Sequence, residues 1–585
     1  MRMMTSSRRF TLEQALFSLV FFLALVLRFI NLGAQPLTDL EAKWALQAAE
    51  IARGSKPLLG GQPAYLLLTA VNFFIFGTSN FMARFWPALV GSGLVLVPAA
   101  FQKQLGRTAA ILLAFALALD PGMFAFSRSV ESQMMAVGFM GLCLAAWQSK
   151  KYKLAGSLGG VTLLCGSAAW FGAFGLGLSW LIINYAGKRK KIETFRKDEE
   201  LVDDHESIPT FSENNFRTSL VWGAGTLLLV GTMLFLVPNG LSAWAGSIAD
   251  FITGWWSPVR LPLWRFPVTL LVYAPLALTS GVISLVRGIL KRDKIIIKLG
   301  ILTAVYFLLV LAYPARQTKD LVWMLVPVWS LAVIELGRQL EFDPAKKREI
   351  ILASVIMLAF MIYVWLDLIS ISSGFNDPTI FRSRIYLLLG ALLILILSMF
   401  LVAAIWDEKI VFRGLFWGGT VALLLFTISD GLNASGLRQA FSAEFWQPAP
   451  QFIQADLLEK TVEDLSVWRR GQTKRLMVTT ITDLNSPSLL WLLRDWQVDV
   501  VDVLPLDASP DLVILPKGVE MRISSAYRGQ DFLIRKTPIW DGLQLDGWLR
   551  WIAYRKIPDQ SDFVVLWARE DLFQVAGAGL DPSIP

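Results

Sequence analysis

Apolar residues in this chain gather into long runs, separated by short polar turns rich in Lys and Arg. A run of about 17 to 25 apolar residues, wound as a helix, matches a hydrocarbon core about 30 Å thick. The pattern predicts spans at 12–30, 81–101, 108–120, 133–147, 154–168, 169–186, 218–238, 266–288, 297–313, 321–337, 350–371, 385–405 and 412–430. That is about thirteen, good to one or two. The block 154–186 reads equally as one long helix or as two short ones. Segment 63–77 (PAYLLLTAVNFFIFG) is apolar but short, and reads as an interfacial or re-entrant helix.

Beyond about residue 440 the pattern changes. Run 452–470 has helical spacing, and SPSLLWLLRDW (486–496) reads as a helix capped by a Ser. Short β-rich runs lie at 475–481, 498–504, 511–516, 531–536 and 563–568. Strands alternating with helices predict a small α/β domain over 440–585, after a helical membrane region over 1–430. Segment 540–556 mixes Trp540, Trp548, Trp551 and Tyr554 with Arg550, Arg555 and Lys556, a composition suited to resting on lipid headgroups.

Charge supplies the direction. If the spans alternate from a cytoplasmic N-terminus, the inside loops hold Arg8 and Arg9; Lys103 and Arg107; Lys150, Lys151 and Lys153; Lys188 to Lys191; Lys291, Arg292 and Lys294; Lys346 to Arg348; and Lys409 with Arg413. All are basic, as the positive-inside rule requires, and an odd number of spans places the C-terminal domain outside. The polar stretch 187–217 then reads as a mobile cytoplasmic loop.

Composition agrees: 55% of the 585 residues are hydrophobic and 17% charged, against about 25% charged in soluble proteins. The net charge of +8 resides mostly in the loops and is no sign of a nucleic-acid partner. Cys143 and Cys165 both fall in apolar runs, so no disulfide framework is indicated. The single His205, in a charged loop, argues against His-based metal or acid–base chemistry. The first apolar run is long, lacks a clear cleavage site and is followed by many others, unlike a cleavable signal peptide. No cluster of metal ligands is legible; a divalent metal remains compatible, with no dedicated site for it.

The first outer loop, within 31–80, holds the most informative chemistry. In NLGAQPLTDLEAKWALQAAEIARG (31–54), Thr38, Asp39 and Glu41 open a helix. They fit a capping box, with Thr38 as N-cap, Glu41 at the third position and Asp39 favoured by the helix dipole. Asp39 and Lys43 are spaced as an i,i+4 ion pair. The same carboxylates also suit general-base chemistry. Glu131 is a further candidate, and its local alternative is an i,i+3 pair with Arg128. Lys43, Arg260, Arg265, Arg316 and Lys319 lie on the predicted outer side, against the basic-inside trend, where cations are placed to hold a lipid phosphate. Trp255, Trp256 and Trp264 in WWSPVRLPLWRF (255–266) would cover an isoprenoid chain or stack on a sugar. Ordinary headgroup anchoring is the alternative.

The first 150 or so residues resemble the GT-C glycosyltransferases, the superfamily of protein O-mannosyltransferases and the lipid A aminoarabinose transferase. The likeness rests on Arg28, Leu32-Gly33, Pro36-Leu37, Leu40-Glu41-Ala42, Trp44 and Gly54, then FGTSNFMARFWPALVG (76–91) and SRSVESQMM (127–135). It is weaker in YPARQTKDLVWMLVPVWSLAV (313–333). The resemblance implies a polytopic α-helical membrane protein with an extracytoplasmic C-terminal α/β domain. It also implies a polyprenyl-phosphate-linked sugar as donor and a protein, lipid or polysaccharide hydroxyl as acceptor. The family places its catalytic Asp where Leu40 stands here, so the resemblance implies either that Asp39 or Glu41 acts as base or that the base is lost, with Glu131 as the acidic residue of the second outer loop. Gln62 stands where the aminoarabinose branch has a Lys. The mechanism implied is removal of the acceptor's proton by a carboxylate, inverting attack on the anomeric carbon, and stabilisation of the departing phosphate by Arg and Lys.

Two other classes compete. A flippase-associated family distantly related to the protein mannosyltransferases has similar architecture, and WLRWIAYRKIP…FVVLWARED (548–571) is similar to it. That reading is of a non-catalytic or differently acting relative. A secondary transporter would show inverted repeats and charges deep in several spans, and no repeat is visible. A processive synthase needs a large cytoplasmic domain, for which 187–217 is too short.

Overall fold

The computed structural model describes residues 11–55, 57–195, 213–259, 261–340, 346–374, 377–438, 441–446, 450–470, 474, 476–484, 486–505, 508–520 and 525–573. The expected loop 187–217 and His205 lie largely outside them, as does Arg260.

The chain is a polytopic α-helical membrane protein. Among the described residues, eight helices are long and apolar enough to cross a bilayer, or up to ten if each of two bent pairs is one span. Every predicted run forms helix, but several are short. Tyr152–Leu163 has 12 residues, a rise of about 18 Å against a core of about 30 Å. The ends are capped locally. Thr11 and Gln14 exchange side-chain-to-backbone hydrogen bonds ahead of Leu12–Phe29, and Asp293 caps Lys294–Ala312.

Proline and glycine decide where runs break. The expected span 266–288 is two helices, Arg265–Tyr273 and Pro275–Leu290, meeting at 96°. Pro275 has no N–H for the ladder and disfavours the helical region for Ala274, which sits at φ −126°. Arg107–Leu119 and Pro121–Ser127 bend by 55° at Pro121 in the same way. The block 154–186 divides at Gly166, whose φ of +79° suits glycine. A Cβ there would also lie 2.0 Å from the Gly61 carbonyl oxygen, so the turn is packed directly on segment 60–62.

Tyr152–Leu163 meets Glu213–Gly231 backbone to backbone. A Cβ on Gly156 would lie 2.1 Å from the Ser219 carbonyl oxygen, and one on Gly160 would lie 2.4 Å from that of Gly223. Small residues permit such an approach between membrane helices. Gly160→Leu is therefore expected to force the pair apart at a cost of roughly 1–3 kcal/mol. The thermal midpoint of the purified protein should fall, while Gly225→Leu, which faces open space, should leave it unchanged.

The C-terminal domain is built on one six-stranded sheet: β1 Gln451–Phe452, β2 Met477–Ile481, β3 Gln497–Val501, β4 Leu512–Pro516, β5 Tyr527–Pro538 and β6 Asp559–Arg569. The spatial order is β1-β5-β6-β4-β2-β3. β2 runs parallel to β3 and β4, whereas β6 is antiparallel to both β4 and β5. Ala455–Arg470 packs on the sheet, with Leu458 and Val462 in the same core as Val478, Ile514, Phe532 and Val564. Ser486 accepts from the Leu489 N–H to start Pro487–Leu492.

The helical bundle has its own core, and that core claims residues from the far end of the chain. Phe445, Trp446, Trp491, Trp540 and Trp551 all belong to it. Trp540 and Trp551 therefore do not rest on headgroups as expected from their composition. The helix Leu545–Tyr554 is amphipathic, and its Trp548 and Trp551 face the bundle, while Arg550 and Tyr554 stay exposed. Burying the rings between domains removes more apolar surface from water than an interfacial position would.

Candidate functional site: a polar cavity between the bundle and the α/β domain

The site grows from the helix Asp39–Ala52. The Thr38 N–H donates to Glu41 Oε2 at 3.0 Å, and the Glu41 N–H donates to Thr38 Oγ1 at 3.4 Å, completing the capping box. Glu41 is buried and does more than cap. Arg84, from Asn80–Leu94, donates to it from Nη2 at 2.9 Å and from Nε at 3.2 Å, and the Val130 N–H donates at 2.9 Å. Burial alone would raise the Glu41 carboxyl, but the Arg84 charge and these hydrogen bonds outweigh it and hold the group below the usual carboxylate range. Arg84 also donates to the carbonyls of Leu32, Gln35 and Pro36. One ion pair thus fastens the loop before the helix, the helix itself and the turn at 130.

Asp39 faces elsewhere. Its Oδ1 accepts from the Ser488 N–H at 3.0 Å, the Ser488 hydroxyl at 2.6 Å and the Ser486 hydroxyl at 3.2 Å, and its Oδ2 lies 2.8 Å from Arg535 Nε. It joins the bundle to the α/β domain, taking Arg535 as partner where the spacing predicted Lys43. Lys43 is exposed, 5.7 Å from the Trp44 ring centroid. Neither Asp39 nor Lys43 lines the cavity.

That cavity, of about 770 Å³, lies between the bundle and the sheet domain. Of the candidate catalytic and phosphate-binding residues, Glu41, Glu131, Arg265, Arg316 and Lys319 line it. Leu40, 55% exposed, presents its side chain to the same space. Glu131 Oε2 lies 3.0 Å from Lys319 Nζ. The expected i,i+3 pair of Glu131 with Arg128 is replaced by this contact. Glu131 is the N-cap of Ser132–Gln148 with extended backbone, φ −152°, so no helical turn joins it to residue 128. Arg128 donates instead to the carbonyls of Leu27, Arg28, Ile30, Asn31 and Ser435. Burial lowers its pKa to about 10, which leaves it charged near neutrality.

Arg316 donates to the carbonyls of Leu261, Leu311 and Tyr313. Arg265 is different: its residue is 6% exposed, and its Nε is buried without a hydrogen-bond acceptor among the described residues. Trp264 packs beside it, Trp255 packs on Tyr313, and Trp256 is open to its surroundings.

Lining residues not singled out from sequence include Arg84, Gln133, Asp250 and Asp320. Asp320 accepts from the Gln317 N–H at 2.8 Å and from Gln133 at 3.4 Å. Asp250 lies in the last turn of a 15-residue amphipathic helix, Asn239–Thr253, which is not among the predicted spans. A Cβ on Gly61 would lie 2.7 Å from its carboxylate, so the glycine permits that approach. Arg84 was within reach of sequence reading, as a lone cation in the apolar stretch 76–91. Among the described residues, no group of three or more His, Cys, Asp or Glu is gathered to hold a metal ion.

A membrane helix bundle, opened by a capped acidic helix and closed at that end by an α/β domain over a polar cavity, is a fold this chain shares with solved membrane proteins. The structure is similar over 96% of this chain to ArnT from Cupriavidus metallidurans bound to undecaprenyl phosphate, covering 98% of that chain, with 15% identity and a TM-score of 0.53. The apo state of the same protein gives 13% identity, coverage of 95% and 98%, and a TM-score of 0.53. The Archaeoglobus fulgidus oligosaccharyltransferase tethered to an acceptor peptide matches with 12% identity, coverage of 84% and 64%, and a TM-score of 0.42. No family model matches the sequence, and no curated protein does. At these identities the likeness to ArnT is one of fold.

Proposed function

We propose that this chain is an integral membrane glycosyltransferase, moving a sugar from a polyprenyl-phosphate donor to an acceptor hydroxyl on the extracytoplasmic side. The basic loops support that orientation, with the N-terminus in the cytoplasm. The observation that carries the reading is Arg265, a buried cation in the cavity wall whose Nε has no acceptor among the described residues. Asp541 lends an opposite charge nearby, but a buried cationic N–H that lacks a hydrogen-bond acceptor is costly. A lipid phosphate entering the cavity would supply one, and Arg316 and Lys319 line the same space.

Among the candidate carboxylates, Glu131 is the one we assign as base. Asp39 is engaged by Ser486, Ser488 and Arg535, and Glu41 by Arg84 and Val130. The donor phosphate draws Lys319 away from Glu131. The freed carboxylate takes the proton of the acceptor hydroxyl, whose oxygen bonds to the anomeric carbon as the bond from that carbon to the phosphate oxygen breaks. Configuration inverts, and the carrier phosphate leaves with the bonding pair, its growing charge met by Arg265, Arg316 and Lys319.

The test is transfer from radiolabelled polyprenyl-phosphate sugars by the protein in nanodiscs, with protein, lipid and polysaccharide acceptors. Glu131→Gln is expected to slow transfer at least about 100-fold, while Asp39→Asn keeps most of it. Full activity in Glu131→Gln would sink the assignment of the base. Leu40, apolar and facing the cavity where the family has its Asp, favours a second reading: a non-catalytic relative that binds the carrier. Undecaprenyl phosphate binding that depends on Arg265, with no transfer from any donor, would select that reading.

A further inference from the structure

Arg265 is the cavity cation most in need of orientation, and a distant part of the chain provides it. Its guanidinium carbon lies 5.9 Å from the ring centroid of Trp264, 5.5 Å from that of Phe445 and 5.7 Å from that of Trp540. Trp264 is its neighbour in sequence. Phe445 follows the last span. Trp540 sits in the turn between β5 and the helix Leu545–Tyr554.

These rings are themselves fixed from behind. Phe445 and Trp540 stack with centroids 4.1 Å apart and planes at 28°. Trp551 packs edge-on against both, at 4.7 Å and 5.3 Å. Its indole N–H donates to the Ala443 carbonyl at 2.7 Å. Beyond it, Arg555 pairs with Asp430 and Glu444, on either side of the connection from span to sheet.

Arg84, Arg128 and Arg316 have their N–H groups committed to carbonyls or to Glu41. Ring faces act differently. They attract the cation and restrict its plane, yet they accept none of its in-plane N–H groups in the way a carbonyl does. A guanidinium held this way is oriented and still able to receive an anion.

We propose that the Trp540 turn of the α/β domain is a positioning element for Arg265, so that seating of this domain on the bundle completes the anion-binding wall of the cavity. This rests on reading that wall as a lipid-phosphate site. Trp540 acts through Arg265 and contacts no phosphate itself.

The test uses the full chain in phosphatidylcholine nanodiscs, titrated with undecaprenyl phosphate and read by native mass spectrometry, with thermal midpoints measured in parallel. Trp540→Leu is expected to weaken binding about fivefold, and Trp540→Phe to restore most of it. Trp548→Leu removes a ring that packs on Trp540 and Phe445 without facing the guanidinium. It should lower the midpoint at least as much and leave affinity at the wild-type value. In an Arg265→Gln background, Trp540→Leu should add no further loss. If Arg265→Gln weakens binding but Trp540→Leu does not, the positioning role falls and the phosphate site stands. If Trp548→Leu weakens binding as much as Trp540→Leu, general loosening of the cluster explains both and the role also falls. If Arg265→Gln binds as wild type, the phosphate reading falls and the inference with it.

Discussion

Replacing Arg555 by Leu is expected to cost about 3–5 kcal/mol of stability, because it strands two buried carboxylates. Arg555 follows the helix Leu545–Tyr554 in a left-handed conformation, φ +56°. It pairs with Asp430 of Glu408–Ala434, and its Nε lies 3.9 Å from Glu444. All three side chains are buried. The Tyr273 hydroxyl donates to Glu444 and accepts from the Phe445 N–H at 3.1 Å. Burial already raises the Glu444 carboxyl above its ordinary value, with the Arg555 charge opposing that rise. Without the Arg the rise is larger. A carboxyl raised in the folded state binds its proton more readily there than in the unfolded chain. Stability is then greatest below the unfolded value, about 4.3, and is lost as pH rises through the folded one. Thermal melts of Arg555→Leu should therefore show the deficit largest at pH 8 and shrinking toward pH 5. Adding Asp430→Asn and Glu444→Gln to Arg555→Leu should recover much of it at pH 8. A variant as stable as wild type at pH 8 would mean the network contributes nothing net.

The second large effect is expected at Arg84. Arg84→Met leaves the buried Glu41 carboxylate without its ion partner and the carbonyls of Leu32, Gln35 and Pro36 without donors. Breaking such a pair costs about 3–5 kcal/mol, whereas replacing both members by apolar residues of similar size costs far less. The double variant Arg84→Met with Glu41→Met should thus be more stable than Arg84→Met alone. The pH dependence has the opposite sign to that at Glu444. Glu41 is depressed in the folded protein, so its contribution is fully present above the unfolded carboxyl value and lost as pH falls through the folded one. Melts of the wild type should steepen their decline in acid, and those of the double variant should decline less. Equal acid sensitivity in the two would show that Glu41 is not held as an anion.

Both clusters show where sequence reading stops. The Thr38 capping box was legible because its partners are three residues apart and answer to helix geometry alone. The Glu41 contacts with Arg84 and Val130 were not, since they join segments 43 and 89 residues away. Asp39 was read as a helix-start carboxylate, and its hydrogen bonds run to residues 447 and 449 positions later. The pairing of Glu131 with Lys319 replaced a local one because residue 131 is extended, a conformation that helical spacing rules assume away. The break at Pro275 was written in the sequence and overridden in the reading by the continuity of apolar residues around it.

The sequence by itself determined what is set by short-range physics. Run length against bilayer thickness marked the membrane helices, short β-rich runs marked strands of the C-terminal sheet, and charge in the loops gave the expected orientation. Only the tertiary structure decided which carboxylates face the cavity, which cations are already committed to carbonyls, and that Trp540 and Trp551 join the bundle's core. Those outcomes depend on which distant surfaces meet when apolar area is buried and each buried polar group finds a partner, and no local pattern carries that information.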